Sequence, residues 1–235
     1  MMNLIPVAEN LWTVSQPFRY LGLEVGTRMT IVRLDSDLIL ISPIQLQTRD
    51  CPTLNALGTV RHLMAPNRSH YLFLNQAQDL FPDAVVWGVE GLAEKRPELK
   101  LDALLNQPGR MGDNLDYLPI DGFGALLPRG IALAYETVFC HRPSRSLILT
   151  DIAFNFDASY PWVTQLAARV MGTTGLKPSK FEKWGTREKD KVKASIQRVL
   201  AWDFDRVIPA HGSIVETDGK AQLKTGFEWF FDEAL

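Results

Sequence analysis

Short apolar runs rich in β-branched and aromatic residues open the chain. Leu11 to Ser15, Met29 to Leu34 and Leu38 to Ser42 predict strands, with Asp35-Ser36-Asp37 as the turn between the last two. Thr53 to Leu57 predicts a short helix, Val60 to Met64 a strand, and Tyr71 to Phe81 a helix that stops before Pro82. Ala84 to Gly88 follows as a strand, and Lys95 to Met111 is an irregular stretch of Leu and Pro. Strand patterns resume at Leu115 to Ile120, Ile131 to Ala134, Thr137 to His141 and Leu147 to Thr150. Helical spacing of three and four then takes over in Tyr160 to Val170, Thr186 to Trp202 and Gly219 to Phe231, with Thr186 and Asp218 placed as caps.

Two runs of strands, each followed by helices, predict two sheets packed face to face under outer helices, although the pattern also suits an ordinary α+β domain. No linker rich in Pro, Gly and Ser and no charge block divides the chain, so residues 1–235 are expected to form a single domain. A 46% hydrophobic composition is enough for a sizeable core in a chain of 235 residues.

The candidate chemistry sits where predicted strands end. Val207-Ile208-Pro209-Ala210-His211-Gly212 delivers a histidine beyond a strand that stops at proline. Ser146 to Thr150 ends in Asp151, and Val60 to Pro66 is followed by His70. Strand carboxyl ends cluster at one rim in layered α/β proteins, so His70, Asp151 and His211 are expected to converge there. His62 lies within a strand and reads as a hydrogen-bonded sheet histidine, and His141 reads as the start of a hairpin connection through Pro143 and Ser144. Ser144 and Ser213 lack a nucleophile elbow, and Gly122-Phe123-Gly124 lacks a phosphate-loop pattern. The aromatics Trp162, Trp184, Trp202, Trp229, Phe227, Phe230 and Phe231 read first as packing of the outer helices, and Phe181 with Trp184 as an alternative lid.

A net charge of −2 gives no basic face for nucleic acid. Cys51 and Cys140 are unpaired in spacing and read as reduced thiols. Met1 to Trp12 has no signal-peptide pattern, and no run approaches the roughly 18 apolar residues of a membrane span. These features predict a soluble cytoplasmic protein with no nucleic-acid partner and no membrane contact. They carry no signature of oligomeric state.

Three stretches together resemble the metallo-β-lactamase-fold superfamily. They are Asp35-Ser36-Asp37 before Leu38-Ile39-Leu40-Ile41, Leu149-Thr150-Asp151-Ile152-Ala153-Phe154, and Val207 to Gly212. The resemblance implies an α/β four-layer αββα sandwich across nearly the whole chain. It also implies that Asp151 matches a metal-bridging carboxylate and His211 a metal ligand. The superfamily's His-x-His-x-Asp-His motif falls on Ala65 to His70, where only the last histidine remains. Ala65, Asn67 and Ser69 stand in the other ligand places. A further histidine expected before the late strand is missing, and Glu136 is the ligand-type side chain of that segment.

With three matching ligands against the roughly six or seven of a two-metal centre, hydrolysis by a metal pair is not expected, and β-lactam or thioester turnover should be far below that of a complete enzyme. Two imidazoles and one carboxylate suit one zinc or iron ion, which implies a one-metal hydrolase with Asn67, Ser69 and Asn155 lining the pocket. The alternative is a metal-free member of the fold in which Asp151 and His211 brace loops and the crevice binds a small molecule or a protein. Redox chemistry at iron is a third reading.

Overall fold

A computed structural model of the chain describes residues 2–127 and 130–235. The opening strands β1 (Ile5–Ala8) and β2 (Leu11–Gln16) form a hairpin. A small ribbon, β3 (Arg19–Tyr20) with β4 (Leu23–Glu24), then leads into β5 (Thr27–Leu34) and β6 (Asp37–Ile41). From there the chain alternates α1 (Cys51–Asn55), β7 (Thr59–Met64), α2 (Leu74–Leu80), β8 (Val85–Gly88), α3 (Leu92–Lys95) and β9 (Ala103–Leu104). These strands make a seven-stranded sheet in the order β1-β2-β5-β6-β7-β8-β9, antiparallel up to β6 and parallel from there.

The second half builds β10 (Gly109–Met111), β11 (Leu115–Ile120), the hairpin β12 (Gly124–Leu127) and β13 (Gly130–Leu133), β14 (Glu136–His141) and β15 (Ser146–Leu149). After α4 (Trp162–Met171), α5 (Lys180–Gly185) and α6 (Lys189–Leu200) come β16 (Arg206–Pro209) and α7 (Gly219–Phe231). Its sheet runs β10-β11-β14-β15-β16, with β15 and β16 parallel.

Period-two alternation explains why the sheets stack. Successive side chains of a strand point to opposite faces, and here both faces are apolar. Phe139, Ile148 and Ile208 join the first sheet in one core, whereas Val138, Cys140, Leu147, Leu149 and Val207 join Val192, Ile196, Val199 and Phe227 of α6 and α7 in a second. The first sheet is covered outside by α1 and α2, which pack on β7. The expected αββα sandwich, one sheet from each half, is what forms.

Several local expectations need correction. Thr186 does not start a helix: its hydroxyl exchanges hydrogen bonds with the backbone of Gly124 (2.9 and 3.2 Å), so it ends α5, and α6 begins at Lys189. Asp218 precedes α7 in a left-handed conformation (φ 60°) and makes no side-chain cap. The irregular stretch contains β9 and β10, too short to show a period, and β12 was hidden by its glycine. Trp202 and Trp229 pack on the core as expected of the aromatics, but Trp162 (74% exposed) and Trp184 (58%) do not. No helix among the described residues is long and apolar enough to cross a membrane.

Candidate metal centre

Parallel strands aim their carboxyl ends the same way, and that is what assembles the site. Ser42 follows β6, the segment Ala65 to His70 follows β7, Asp151 follows β15, and His211 follows β16. The structure brings His70, Asp151 and His211 together, with one ligand atom from each inside a span of 4.8 Å. Asp151 Oδ1 lies 3.4 Å from His70 Nε2 and 3.6 Å from His211 Nε2, and the two rings are 5.1 Å apart.

Each of these groups is held from behind. His211 Nδ1 is 2.6 Å from the carbonyl of Gly26, which can only accept, so Nδ1 carries the proton and Nε2 offers its lone pair to the centre. His70 Nδ1 is 2.7 Å from Ser42 Oγ. Asp151 Oδ2 accepts from Asn67 Nδ2 at 2.8 Å. Arg28 donates from β5 to the carbonyls of Pro209 and Gly212 (the latter at 2.9 Å), clamping the His211 turn to the first sheet. Phe18 and Phe154 lie 6.5 and 6.2 Å from the His211 ring and screen it from water.

Asn67 and Glu136 form the floor. Asn67 is 1% exposed; its Oδ1 accepts from the amides of Ser69 (2.7 Å) and His70 (2.8 Å), and its Nδ2 faces Asp151, Thr150 Oγ1 (2.9 Å) and Glu136 Oε2 (3.1 Å). Glu136 accepts from the amides of Thr150 and Asp151, both at 2.7 Å. Of the residues expected in the pocket, Asn67 is thus buried with its amide turned to Asp151, Thr150 and Glu136. Asn155 donates to the carbonyl of Ser213 (2.9 Å) and braces the loop after His211. Ser69 is exposed at the rim.

Burial penalises the His70 cation, but the charge and hydrogen bond of Asp151, helped by Glu136, outweigh it and raise the His70 pKa. Burial would push Asp151 up; His70, His211 and Asn67 reverse this and hold it well below the usual carboxylate range. His211 is pushed down to about 4, mainly by burial, and Asp151 only partly offsets it. Burial, then the charge of Asp151, raises Glu136 against the pull of its three donors. Glu182, absent from the sequence-based candidates, is pushed up to about 7 by burial, with a smaller contribution from the charge of Asp151.

A neutral His211 thus presents a lone pair to an ionised carboxylate. Two acceptors 3.6 Å apart repel, and a positive charge beside them, a bound ion or a protonated His70, relieves this. Ligands about 2.0–2.1 Å from zinc at tetrahedral angles are about 3.4 Å apart, so the Asp151–histidine distances fit a single ion.

His62 and His141 lie outside this cluster. His62 accepts from Trp87 Nε1 at 3.1 Å within the sheet, and His141 bonds Ser144 Oγ at 2.7 Å in the hairpin turn.

The sandwich defines a metallo-β-lactamase-fold protein. Among solved structures, a metallo-β-lactamase from Pontibacter korlensis matches at 14% identity and TM-score 0.67, covering 99% of this chain and 100% of that one. The metal-soaked flavodiiron core of Flv1 from Synechocystis sp. PCC6803 matches at 13% and 0.67 over 98% of this chain, which spans 61% of that core. The metallo-β-lactamase FIM-1 from Pseudomonas aeruginosa, in its mono-zinc form, matches at 12% and 0.61, covering 94% of each chain. Such identities show the fold alone. The chain belongs to the family described as Domain of unknown function (DUF4336), whose model matches residues 8–180 and so contains His70 and Asp151. A search of curated proteins finds no match.

Proposed function

We propose that His70, Asp151 and His211 hold one divalent ion, zinc or ferrous iron, and that the protein is a one-metal hydrolase of a small-molecule substrate. The observation that carries this reading is the facing pair of acceptors, His211 Nε2 and Asp151 Oδ1, with His211 fixed in its ligating tautomer by Gly26. When bound, such an ion acts as a Lewis acid toward a carbonyl or phosphoryl oxygen and lowers the pKa of a coordinated water to about 7.

The chain's own residues have defined parts. Ser42 and Gly26 orient the two imidazoles, and orientation of this kind typically governs metal affinity by 10–100-fold. Asn67 donates to Asp151 Oδ2 and aims the carboxylate. Ser69, exposed beside His70, is placed to orient substrate. Ala65 and Asn67 stand in two ligand places of the superfamily motif and leave no donor set for a second ion, and a mono-zinc state occurs in FIM-1. The small-molecule ligand and the cytoplasmic location remain part of this proposal.

Metal analysis of protein purified without added metal tests it. About one equivalent of zinc or iron is expected in the unmutated protein, and background metal in His211→Ala. Background metal in both would instead support the metal-free reading.

A further inference from the structure

We propose that Arg68 forms an oxyanion-binding subsite beside the metal centre, so that the compound taken there carries a carboxylate or phosphate group. The link to substrate rests on the one-metal reading above; the anion site itself does not.

Arg68 stands between Asn67 and Ser69, and its amide bonds the carbonyl of Ala134 at 3.4 Å. Its guanidinium packs on two surfaces: Cζ lies 5.6 Å from the centre of the Tyr135 ring, and a Cβ added at Gly91 would sit 3.5 Å from Cζ. A guanidinium stacked in this way keeps its planar fork in one orientation. Yet Nε is buried without an acceptor, and Arg68 forms no salt bridge among the described residues.

Neighbouring charge points the same way. Lys95 donates to the carbonyl of Arg68 at 2.7 Å, sits 4.9 Å from the Tyr71 ring, and also has no carboxylate partner among the described residues. Arg96 shares that ring but is paired with Glu98. Glu90 and Glu94, on the same segment, are exposed and pair with neither cation.

Tyr135, on which Arg68 packs, also lines a cavity of about 340 Å³ with Val89, Glu90, Leu105 and Asn106. Among the described residues, two buried side-chain polar atoms lack a partner, Arg68 Nε and Asn106 Oδ1; one lies against Tyr135 and the other in its cavity. Buried polar atoms are nearly always hydrogen-bonded, so orphans mark missing partners. Here those partners are an oxyanion for the arginine and an N–H or O–H for the asparagine. Tyr135 itself adopts φ 50°, a left-handed backbone that an aromatic residue rarely takes and that clusters at ligand clamps. The next residue is Glu136, which bonds Asn67 and the amide of Asp151, so subsite and metal centre share one pair of loops.

The test titrates inorganic phosphate, and separately acetate, into the protein with chelator present and again with one equivalent of zinc. Binding is followed through the arginine Nε–H resonances. Saturable binding of one or both anions with a shift at Arg68 is expected, and the tighter anion identifies the preferred oxyanion. Affinity should fall at least tenfold in Arg68→Gln, less in Arg68→Lys, which keeps the charge but not the fork, and should persist in His211→Ala. No saturable binding of either anion, or binding unchanged in Arg68→Gln, would overturn the subsite. A protein that binds no zinc but binds anion through Arg68 would refute the metal centre and leave the subsite standing.

Discussion

An asparagine amide has two N–H donors, and Asn67 aims them at three oxygens, two of them on carboxylates. It does for Asp151 and Glu136 part of what a cation would do. Removing a donor from buried carboxylates leaves charge uncompensated, so Asn67→Ala should cost about 2–4 kcal/mol, read by urea denaturation of the metal-free protein. A second residue prediction concerns pH. His141, buried against Ser144, is pushed down to about 4 by desolvation, against about 6.5 unfolded. The unfolded chain then binds the extra proton, and His141 lowers stability as pH falls from about 6.5 toward 4. Glu182 has the opposite sign: its raised pKa favours the fold at low pH, and that contribution fades as pH rises through about 7. Comparing the wild type with His141→Gln isolates the histidine, and the variant should lose less melting temperature over this interval. At this scale the cluster of His70, Asp151 and His211 was legible because each residue follows an apolar run. Their supports were not. Ser42 is 28 residues from His70, and Gly26 acts through a backbone carbonyl that no residue letter encodes.

Among the elements, the tightest constraint is the turn after β16. Gly212 has φ 97°, its amide donates to Tyr160 Oη at 3.1 Å, and a Cβ there would lie 2.4 Å from the Asn155 carbonyl oxygen. Asn155 and Ser213 exchange two further bonds across this approach. Gly212→Ala should therefore cost at least about 2 kcal/mol and weaken metal binding by moving His211; unchanged melting and zinc affinity would count against this account. Strands with several apolar positions, such as β11 and α7's helical pattern, were readable to the residue. The two-residue strands were not, because two residues cannot display a period. Thr186 misled for a different reason: a threonine before a helical stretch looks like a cap, but a distant backbone, that of Gly124, had the stronger claim on its hydroxyl.

For the molecule as a whole, the metal centre lies across the seam between the sheets. His70 comes from the first sheet, Asp151 and His211 from the second, and Gly26 and Arg28 tie the last of these back to β5. An ion bound there binds the folded form selectively. Free zinc at a hundredfold above its dissociation constant should add about 2.7 kcal/mol, so chelation should lower the melting temperature by roughly 5–10 °C. Equal melting curves with and without chelator would exclude a stabilising ion. The order of strand and helix patterns pointed to two packed sheets but suited an ordinary α+β domain as well, and the superfamily resemblance narrowed it to the sandwich; the bonds across the seam, made by side chains far apart in sequence, were not visible. The bond from His211 to Gly26 has one more consequence, for the order of events during synthesis. It spans 185 positions, so a nascent chain carries Gly26 from the start but lacks His211 until nearly all of the sequence has been translated. An unfinished chain has only two of the three clustered side chains, so any ion that binds there would load late, after docking of the second sheet.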